Sequence, residues 1–581
     1  MRFIFSYVKR DIWLVVLCVS MKIIASMGEL LIPYGLEQMI DKIVPTKNKE
    51  MIVIMGVAMI ILSILIRQLS IFANHGAAKV AQRSVYRIRR DLFWKTLQLS
   101  GKQVDQYGLP SLTSRMTSDS YNVQNFIQTV QAMGIRAPIL MIGGIIVTLN
   151  MDVGLAAILC GIVPILIALI VWISFSGIPL YDKVQKCVDD IVRIMRENIT
   201  GIRVVKALSK ERYEINRFQY ANEQMVKKDI KAGTVMALPG PVMTLFLNIS
   251  LTLVIIIGAR RVNNGDIYPG VILAFLTYFN MILMGVMGIN RVFMMMSKAN
   301  ASAKRIAGVV NEINDLAKVP DKNAAKFDYE RFKRDDYIVF DHVEFNYDVA
   351  QEQCLNDISF TVKKGGSLGI IGATGAGKTT IVNLLMRFYD VNKGAIFING
   401  RDVRTYKKDE LHQLFGVVFQ NDVIFADTLY ENIVFGRNAT LEEVKMAASD
   451  AKADEFIEDY EDAYDHKAVI HGANLSGGQK QRTLIARALL GNPEILVLDD
   501  ASSALDYKTD AGLRKTIREN HSETTTIIIA QRVSSIMNLD HIIVLDEGEM
   551  IGYGTHEELL EACEIYREIY KTQMGERESV C

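Results

Sequence analysis

Long apolar runs alternate with polar, basic stretches through residues 1 to 310, and the pattern then changes to that of an ordinary soluble chain. A hydrocarbon core takes roughly 20 residues of apolar helix to cross. Six stretches reach that length, at about 13 to 40, 51 to 73, 125 to 149, 154 to 177, 235 to 259 and 269 to 296. Between the second and third runs, and again between the fourth and fifth, lie long polar segments with helical periodicity. The first carries Lys79, Arg83, Arg87, Arg89, Arg90 and Lys95, and the second Lys183, Lys186, Arg193, Arg196, Arg203, Lys206, Lys210 and Arg212. Connections on the other side are short, the one near Asn150 being almost a bare turn. Basic residues concentrate on the cytoplasmic side, so both long loops and both ends are expected there. Lys42, Lys47, Lys49, Arg260 and Arg261 on the outer side are outnumbered.

The pattern predicts a membrane domain over 1–310, a polar linker over 311–335, a soluble domain over 336–575 and a tail over 576–581. A chain of 581 residues exceeds what one hydrophobic core supports, which agrees with that division. The start "MRFIFSYVKRDIWLVVLCVS" has basic residues ahead of an apolar run, as a signal peptide does. The run continues too far and lacks an A-x-A-like cleavage site, so it reads as a retained first membrane helix. It is not an Arg-rich, Ser-rich organelle presequence either, and a bacterial-type cytoplasmic membrane is the expected setting. The 65 basic and 65 acidic residues balance, which removes net charge as an argument for nucleic-acid binding. Six cysteines, at 18, 160, 187, 354, 563 and 581, form no CxxC pair, so neither zinc nor a disulfide framework is indicated.

Ionisable residues inside membrane spans are expensive and face protein or water. Lys22 and Glu29 lie seven apart on one helical face, and Arg67, Arg136 and Arg291 also fall within or beside the spans. They line a translocation cavity or sit in helix contacts near the cytoplasmic ends. Met281, Met284 and Met287 share a face of the last span, ahead of Met294, Met295 and Met296. Such flexible side chains suit either a helix interface or a surface for varied apolar ligands.

In the soluble domain "GIIGATGAGKTT" follows a strand-like run and precedes a helical one. Gly372, Ala373, Thr374, Gly375, Ala376, Gly377, Lys378, Thr379 and Thr380 make a phosphate loop. Its backbone N–H groups cradle phosphate at a helix start, Lys378 reaches the outer phosphates, and Thr379 is a magnesium ligand. Downstream "ILVLDD" reads as a buried strand ending in Asp499, a carboxylate for Mg²⁺. ATP with Mg²⁺ is the expected ligand pair.

Between these elements stands "LSGGQKQR", just before a helix. With it the chain resembles an ATP-binding cassette (ABC) transporter of the exporter type over nearly its whole length. The resemblance implies six long membrane helices and a P-loop α/β nucleotide-binding domain with an antiparallel β subdomain and a helical signature subdomain. It further implies that Tyr347 stacks on adenine, that Gln420 touches magnesium and water, and that Ser503 to Asp506 form the loop facing an opposing subunit. The stretches "GLPSLTSRMTSDSYNV" and "ENITGIRVVKALSKERYEINRF" resemble the segments that carry the two coupling helices. Two half-chains would sandwich two ATP molecules, each site taking its phosphate loop from one chain and Ser476, Gly477, Gly478 and Gln479, or their equivalents, from the other.

The chain departs from the family pattern at two places. The residue after the magnesium Asp is normally Glu, poised to activate water, and here it is Asp500. One methylene fewer withdraws the carboxylate by roughly 1 to 1.5 Å, and a misplacement of that size costs about 100-fold. The family's His after the last strand is replaced by Gln531, whose amide donates a hydrogen bond but cannot take a proton. Together they imply a degenerate, slowly hydrolysing site in one half of a heterodimeric multidrug-type exporter. Its LSGGQ would complete the competent site of a partner that supplies the Glu and the His. The expected cargo is an amphipathic small molecule or a lipid. A slow homodimeric ATPase and a regulatory or channel-like protein of the same family are the alternatives.

Overall fold

The computed structural model describes residues 1–316, 318–320, 324–328, 330–333, 335–347 and 354–574, so the expected tail over 576–581 and parts of the linker lie outside it. The chain divides into two compact units: Met1–Leu97 with Leu109–Glu312, and Gln98–Gly108 with the chain from Ile313 onward.

The first unit is all helix, and its helices outrun the apolar segments that define them. Ile12–Gln38 spans 27 residues, Lys49–Gln98 50, Val153–Thr200 48 and Pro269–Val310 42. Leu109–Met151 runs on through two π-helical turns, Arg115–Asp119 and Ile139–Gly143. Glu211–Ala237 continues into Pro239–Asn263. At 1.5 Å per residue a 50-residue helix is about 75 Å long, more than twice a bilayer's apolar thickness. The polar, periodic segments after the second and fourth apolar runs are therefore largely continuations of the membrane helices and not separate loops. Among the described residues, five helical stretches are long and apolar enough to cross a membrane, and Val153–Leu169 is a shorter apolar helix.

Pro269–Val310 is the most enclosed of these stretches, with half of its most apolar window buried, against 6% for Lys49–Gln98. Its Tyr278 is fully buried and donates to Leu30 O at 2.6 Å. Gly285 lets it approach the helix at Ala137, because a Cβ there would stand 2.7 Å from the Ala137 carbonyl oxygen. Small residues at a contact replace the hydrophobic drive that lipid cannot supply. Asp152 caps Val153–Thr200 by accepting from Leu155 N at 2.8 Å, and its carboxylate also takes Arg261 at 2.5 Å. Met284 and Met287 are exposed in this unit while Gly285 and Val286 between them are buried, so two of the face's three methionines do not fill a helix interface within the chain.

The ionisable residues of the spans separate into distinct roles. Lys22 is buried and donates to Ser70 Oγ at 2.7 Å and Asn74 Oδ1 at 3.1 Å. Glu29, on the same face as Lys22, pairs instead with Arg136 at 3.0 Å. Arg67 and Arg291 are exposed.

The second unit holds two sheets. β1 (Asp336–Phe345), β2 (Leu355–Lys363), β4 (Lys393–Ile398) and β5 (Arg401–Asp402) form an antiparallel sheet in the order β2-β1-β4-β5. β3 (Ser367–Gly372), β6 (Phe415–Val418), β7 (Ile495–Asp499), β8 (Thr525–Ile529), β9 (His541–Asp546) and β10 (Glu549–Gly554) form the other, ordered β10-β9-β3-β8-β7-β6. All its pairings are parallel except the edge pair of β10 with β9. β7 and β8 are buried along their whole length, as suits the Ile/Val/Leu stretches Ile495–Leu498 and Ile527–Ile529 in a parallel sheet covered on both faces. A helical layer from Leu429 to Leu489 packs on the sheet through Ile433, Val444, Ile457 and Ile485. The segment Gln98–Gly108 belongs to this unit. Its helix Gly101–Tyr107 starts in a capping box between Ser100 and Gln103, and Gln103 Nε2 donates to Ile313 O at 2.6 Å. This helix ends at Gly108, where the quoted stretch "GLPSLTSRMTSDSYNV" begins.

Candidate functional site

The carboxyl ends of β3 and β7 bring the phosphate loop and both aspartates to one edge of the parallel sheet. Gly375 and Gly377 hold φ of 89° and 94°, a region that side chains with a Cβ adopt at a cost. At Gly377 a Cβ would also fall 2.6 Å from Leu355 Cδ2, so conformation and space both demand glycine. The loop delivers the chain into the helix Lys378–Leu385. Lys378 Nζ folds back to donate to Gly372 O at 2.9 Å and Ala373 O at 2.7 Å. Burial pushes this ammonium's pKa below its ordinary value, against the pull of Asp499 and Asp500. A cation bonded to two neutral carbonyls at the start of a helix fits an anionic phosphate group.

Thr379 Oγ1 donates to Asp499 Oδ2 at 2.8 Å. Asp499 is 2% exposed, and that burial pushes its carboxyl above the ordinary range; the Thr379 hydrogen bond opposes it, Asp500 adds to it, and Lys378 counteracts. A hydroxyl and a carboxylate side by side are the hard oxygen donors Mg²⁺ takes, and a divalent cation would relieve the carboxylate's unfavourable burial.

Asp500 stands at φ 53°, in the left-handed region, with its N–H on Ile529 O at 2.9 Å. That turn swings its side chain back over the loop. Gln531 Nε2 donates to Asp500 Oδ2 at 3.0 Å, and the Gln420 side chain is hydrogen-bonded to the same carboxylate. Burial raises the Asp500 carboxyl, and the Gln420 bond, Lys378, Arg532 and the Gln531 bond oppose the rise in that order. Gln531 is fixed in turn by the C-terminal helix: Gln573 donates to Gln531 O at 2.7 Å and accepts from Val533 N at 2.7 Å.

Tyr347 is 37% exposed at the rim, with its hydroxyl donating to Thr380 Oγ1 at 3.1 Å and accepting from Asn383 Nδ2 at 3.2 Å. The edge of the Tyr389 ring supports it, at 5.0 Å between centroids and 88° between planes. Tyr389 donates to Asp105 of the helix Gly101–Tyr107 at 2.6 Å. Burial and this bond to a carboxylate both push the Tyr389 phenol up.

A cavity of about 300 Å³ unites these groups. Of the residues singled out in the sequence, Tyr347, Thr374, Gly375, Gly377, Lys378, Thr379, Thr380, Gln420, Asp499, Asp500 and Gln531 line it. Gly372, Ala373 and Ala376 are not among the lining residues; the first two supply the carbonyls that accept from Lys378, and Ala376 is buried. Ser476, Gly477, Gly478 and Gln479 are not among the lining residues. Ser476 caps the helix Gly477–Leu489 in a reciprocal box: its Oγ accepts from Gln479 N at 3.3 Å, and its own N–H donates to Gln479 Oε1 at 2.8 Å. Ser476 and Gly477 are exposed, so this helix start is open to a ligand from outside the chain's own cavity. Gln481 ties it to the SALD segment by donating to Ser503 Oγ at 3.0 Å and accepting from Ala504 N at 2.9 Å.

Sequence reasoning missed Cys354, which lines the cavity with its thiol 3.4 Å from Thr380 Oγ1, and it missed Tyr389, Gln481 and Gln573. Cys354, Tyr389 and Gln573 sit in no motif, and Gln481 lies in the quoted "LSGGQKQR" without a role assigned to it. Each acts from a distant part of the chain, and only the fold reveals the contact.

Known proteins agree with this architecture. The family description "ABC transporter transmembrane region" matches residues 15–287, and "ABC transporter" matches 355–503. The chain is 34% identical over 551 residues to the ABC transporter ATP-binding protein YfiB of Bacillus subtilis, covering 94% of each chain. It is 33% identical over 576 residues to YfiC of the same organism, covering 99% of this chain and 94% of that one. A solved bacterial Atm1-family ABC exporter with ATP bound superposes with a TM-score of 0.81 at 25% identity, over 98% of this chain and 99% of that one. With a helical membrane domain fused to an ATPase domain, the chain belongs to the ABC transporters, as a half-transporter of the exporter type.

Proposed function

We propose that this half-transporter is the ATP-holding member of an asymmetric pair. Its own phosphate loop binds ATP·Mg²⁺ but turns it over slowly, and its LSGGQ completes the faster site on a different partner chain. The observation that carries this reading is the grip of Gln531 and Gln420 on the short Asp500 carboxylate. A general base must reach the water it activates. A carboxylate one methylene short, held back by two amides that cannot relay a proton, meets neither the distance nor the proton-transfer requirement.

Bound Mg²⁺ would supply charge neutralisation across the outer phosphates. Thr379 and Asp499 hold it, Lys378 orients the outer phosphate oxygens, Gln420 supports the metal side, and Tyr347 stacks on the base. The exposed Ser476 to Gln479 edge meets the partner's nucleotide, and closing the sandwich switches the membrane domains from inward- to outward-facing, a two-state element biased by ligand. Both termini and the nucleotide domain face the cytoplasm of a bacterial-type cytoplasmic membrane in this reading, which the basic residues on the helix extensions support. Amphipathic small molecules or lipids are the cargo class, consistent with exposed Met284 and Met287. The test is to purify the chain alone and with the partner that co-purifies. Slow turnover alone and ordinary transporter turnover in the pair support the reading; ordinary turnover by the chain alone overturns it in favour of a homodimer.

A further inference from the structure

The strand Thr525–Ile529 delivers Gln531 to the nucleotide cavity, and just beyond it the chain enters a short 3-10 turn, Val533–Ser535. The first N–H groups of such a turn have no partner within it. Arg532, in the capping position, supplies no side-chain bond. The Gln573 side chain takes that place from the far end of the chain: its Oε1 accepts from Val533 N at 2.7 Å, and its Nε2 donates to Gln531 O at 2.7 Å. One primary amide thus offers both an acceptor and a donor to the segment, as a neighbouring strand would.

Gln573 is not what docks its own helix. Glu564–Met574 is rooted nearer its start, where Tyr566 is fully buried with its hydroxyl bonded to His556 Nδ1 at 2.8 Å, and Arg567 Nε donates to Leu560 O at 2.6 Å. Gln573 stands two turns beyond Tyr566, exposed and outside the cavity lining. Its two bonds therefore act on the segment from Gln531 to Val533. Fixing the carbonyl of the first and the N–H of the last fixes the backbone from which the Gln531 side chain reaches Asp500 Oδ2 at 3.0 Å. A path of hydrogen bonds runs from Gln573 through Gln531 to the short carboxylate.

We infer that Gln573 is a positioning residue: by setting the Gln531 amide on Asp500 it restrains hydrolysis at this chain's phosphate loop, so the C-terminal helix acts as a brake on that site. This rests on the slow-site reading above and names what maintains it. Without the grip the turn relaxes, and the carboxylate, relieved of one of its two amides, regains reach toward the attacking water.

The test uses the full-length chain purified alone, where every phosphate loop belongs to this sequence. Gln573→Ala is expected to raise single-turnover ATP hydrolysis by about fivefold, the scale of one neutral hydrogen bond, with ATP affinity kept within about twofold. In a Gln531→Ala background, where the gripped amide is gone, the same substitution is expected to add nothing, because residues in one hydrogen-bond network are not additive. A merely structural role would add its effect in both backgrounds. Gln573→Glu keeps the acceptor for Val533 N and loses the donor to Gln531 O, and it is expected to match Gln573→Ala. An unchanged or lower rate in Gln573→Ala, a parallel loss of ATP affinity, an equal rise in the Gln531→Ala background, or a wild-type rate in Gln573→Glu overturns the proposal. Should Gln573→Ala fail to fold, Gln573→Glu decides alone by the same comparisons. The slow-site reading fails separately, by ordinary transporter turnover of the unsubstituted chain while the coupling of Gln573 to Gln531 stands.

Discussion

Gln531 Nε2 donates to Asp500 Oδ2 at 3.0 Å, so the two residues that depart from the family pattern are bonded to each other. A departure at one position therefore has its counterpart in the other: an amide in place of an imidazole pins a carboxylate in place of its longer homologue. Asp500→Glu is expected to raise single-turnover hydrolysis at this chain's phosphate loop by about 10- to 100-fold, and Gln531→His to do little alone. The double variant should exceed the sum of the singles, because groups in contact are not additive. Glu tolerates the positive φ of residue 500 less well than Asp, so the gain should come with a stability loss of about 1 kcal/mol. Quenched-flow product formation and thermal unfolding measure the two effects. Unchanged hydrolysis in the double variant would refute the assignment.

Tyr389 links the Gly101–Tyr107 helix to Tyr347, the proposed base-stacking residue, with its hydroxyl on Asp105 and its ring against Tyr347. Tyr389→Phe removes the hydroxyl and keeps the ring. ATP affinity should stay within about twofold, whereas stimulation of ATPase by cargo should fall by about fivefold, the low end of coupling energies. Tyr389→Ala removes the support of Tyr347 as well and should weaken ATP binding by about tenfold. Nucleotide binding by fluorescence and stimulated turnover separate the two losses; equal effects of Phe and Ala on ATP affinity would contradict the arrangement.

Much of this was legible because period and motif are local properties. The spans were readable from run length alone, since lipid admits few alternatives to an apolar helix. The phosphate loop was readable because Gly375 and Gly377 answer a local backbone demand. What run length could not reveal was that the basic stretch after residue 73 continues one helix to Gln98, because polarity resembles a loop wherever a helix leaves the bilayer. Nor could spacing pair Glu29 with Arg136 and Lys22 with Ser70: the helical repeat puts Lys22 and Glu29 on one face, while helix packing decides what that face meets. Gln573 on Gln531 was hidden for the same reason, being a contact across 42 residues of chain.

His412 is expected to set an acid limit on the stability of the nucleotide domain. Burial holds its imidazole below the ordinary 6.5, opposed by its bond to Met386 O at 2.9 Å, just past the end of the phosphate-loop helix. Below the ordinary value the unfolded chain binds the proton that the folded chain refuses. Stability is therefore fully present above about pH 6.5 and declines as the pH falls toward the folded-state value. His412→Gln keeps a donor to Met386 and removes the titration. Its unfolding midpoint should depend less on pH than the wild type's between about pH 8 and pH 5. Parallel pH profiles would show that other groups set the acid limit.

The exposed signature edge and the enclosed phosphate loop belong to different nucleotides in the proposed pair, and this permits a decisive contrast. Lys378 lines this chain's own cavity, whereas Ser476 does not. In the co-purified complex, Lys378→Ala should remove ATP from the slow site and leave more than about half of the steady-state turnover. Ser476→Ala should reduce that turnover by about 100-fold, the scale of losing a hydrogen-bond donor to developing charge. It should also cost about 1 kcal/mol in stability through the lost helix cap. Photolabelling by an azido-ATP should show the reverse pattern on this chain, lost in Lys378→Ala and kept in Ser476→Ala. A homodimer makes both residues part of every site, so equal losses of turnover in the two variants would exclude asymmetry. Retained turnover in Ser476→Ala with loss in Lys378→Ala would assign the faster chemistry to this chain's own loop, against the short reach of Asp500.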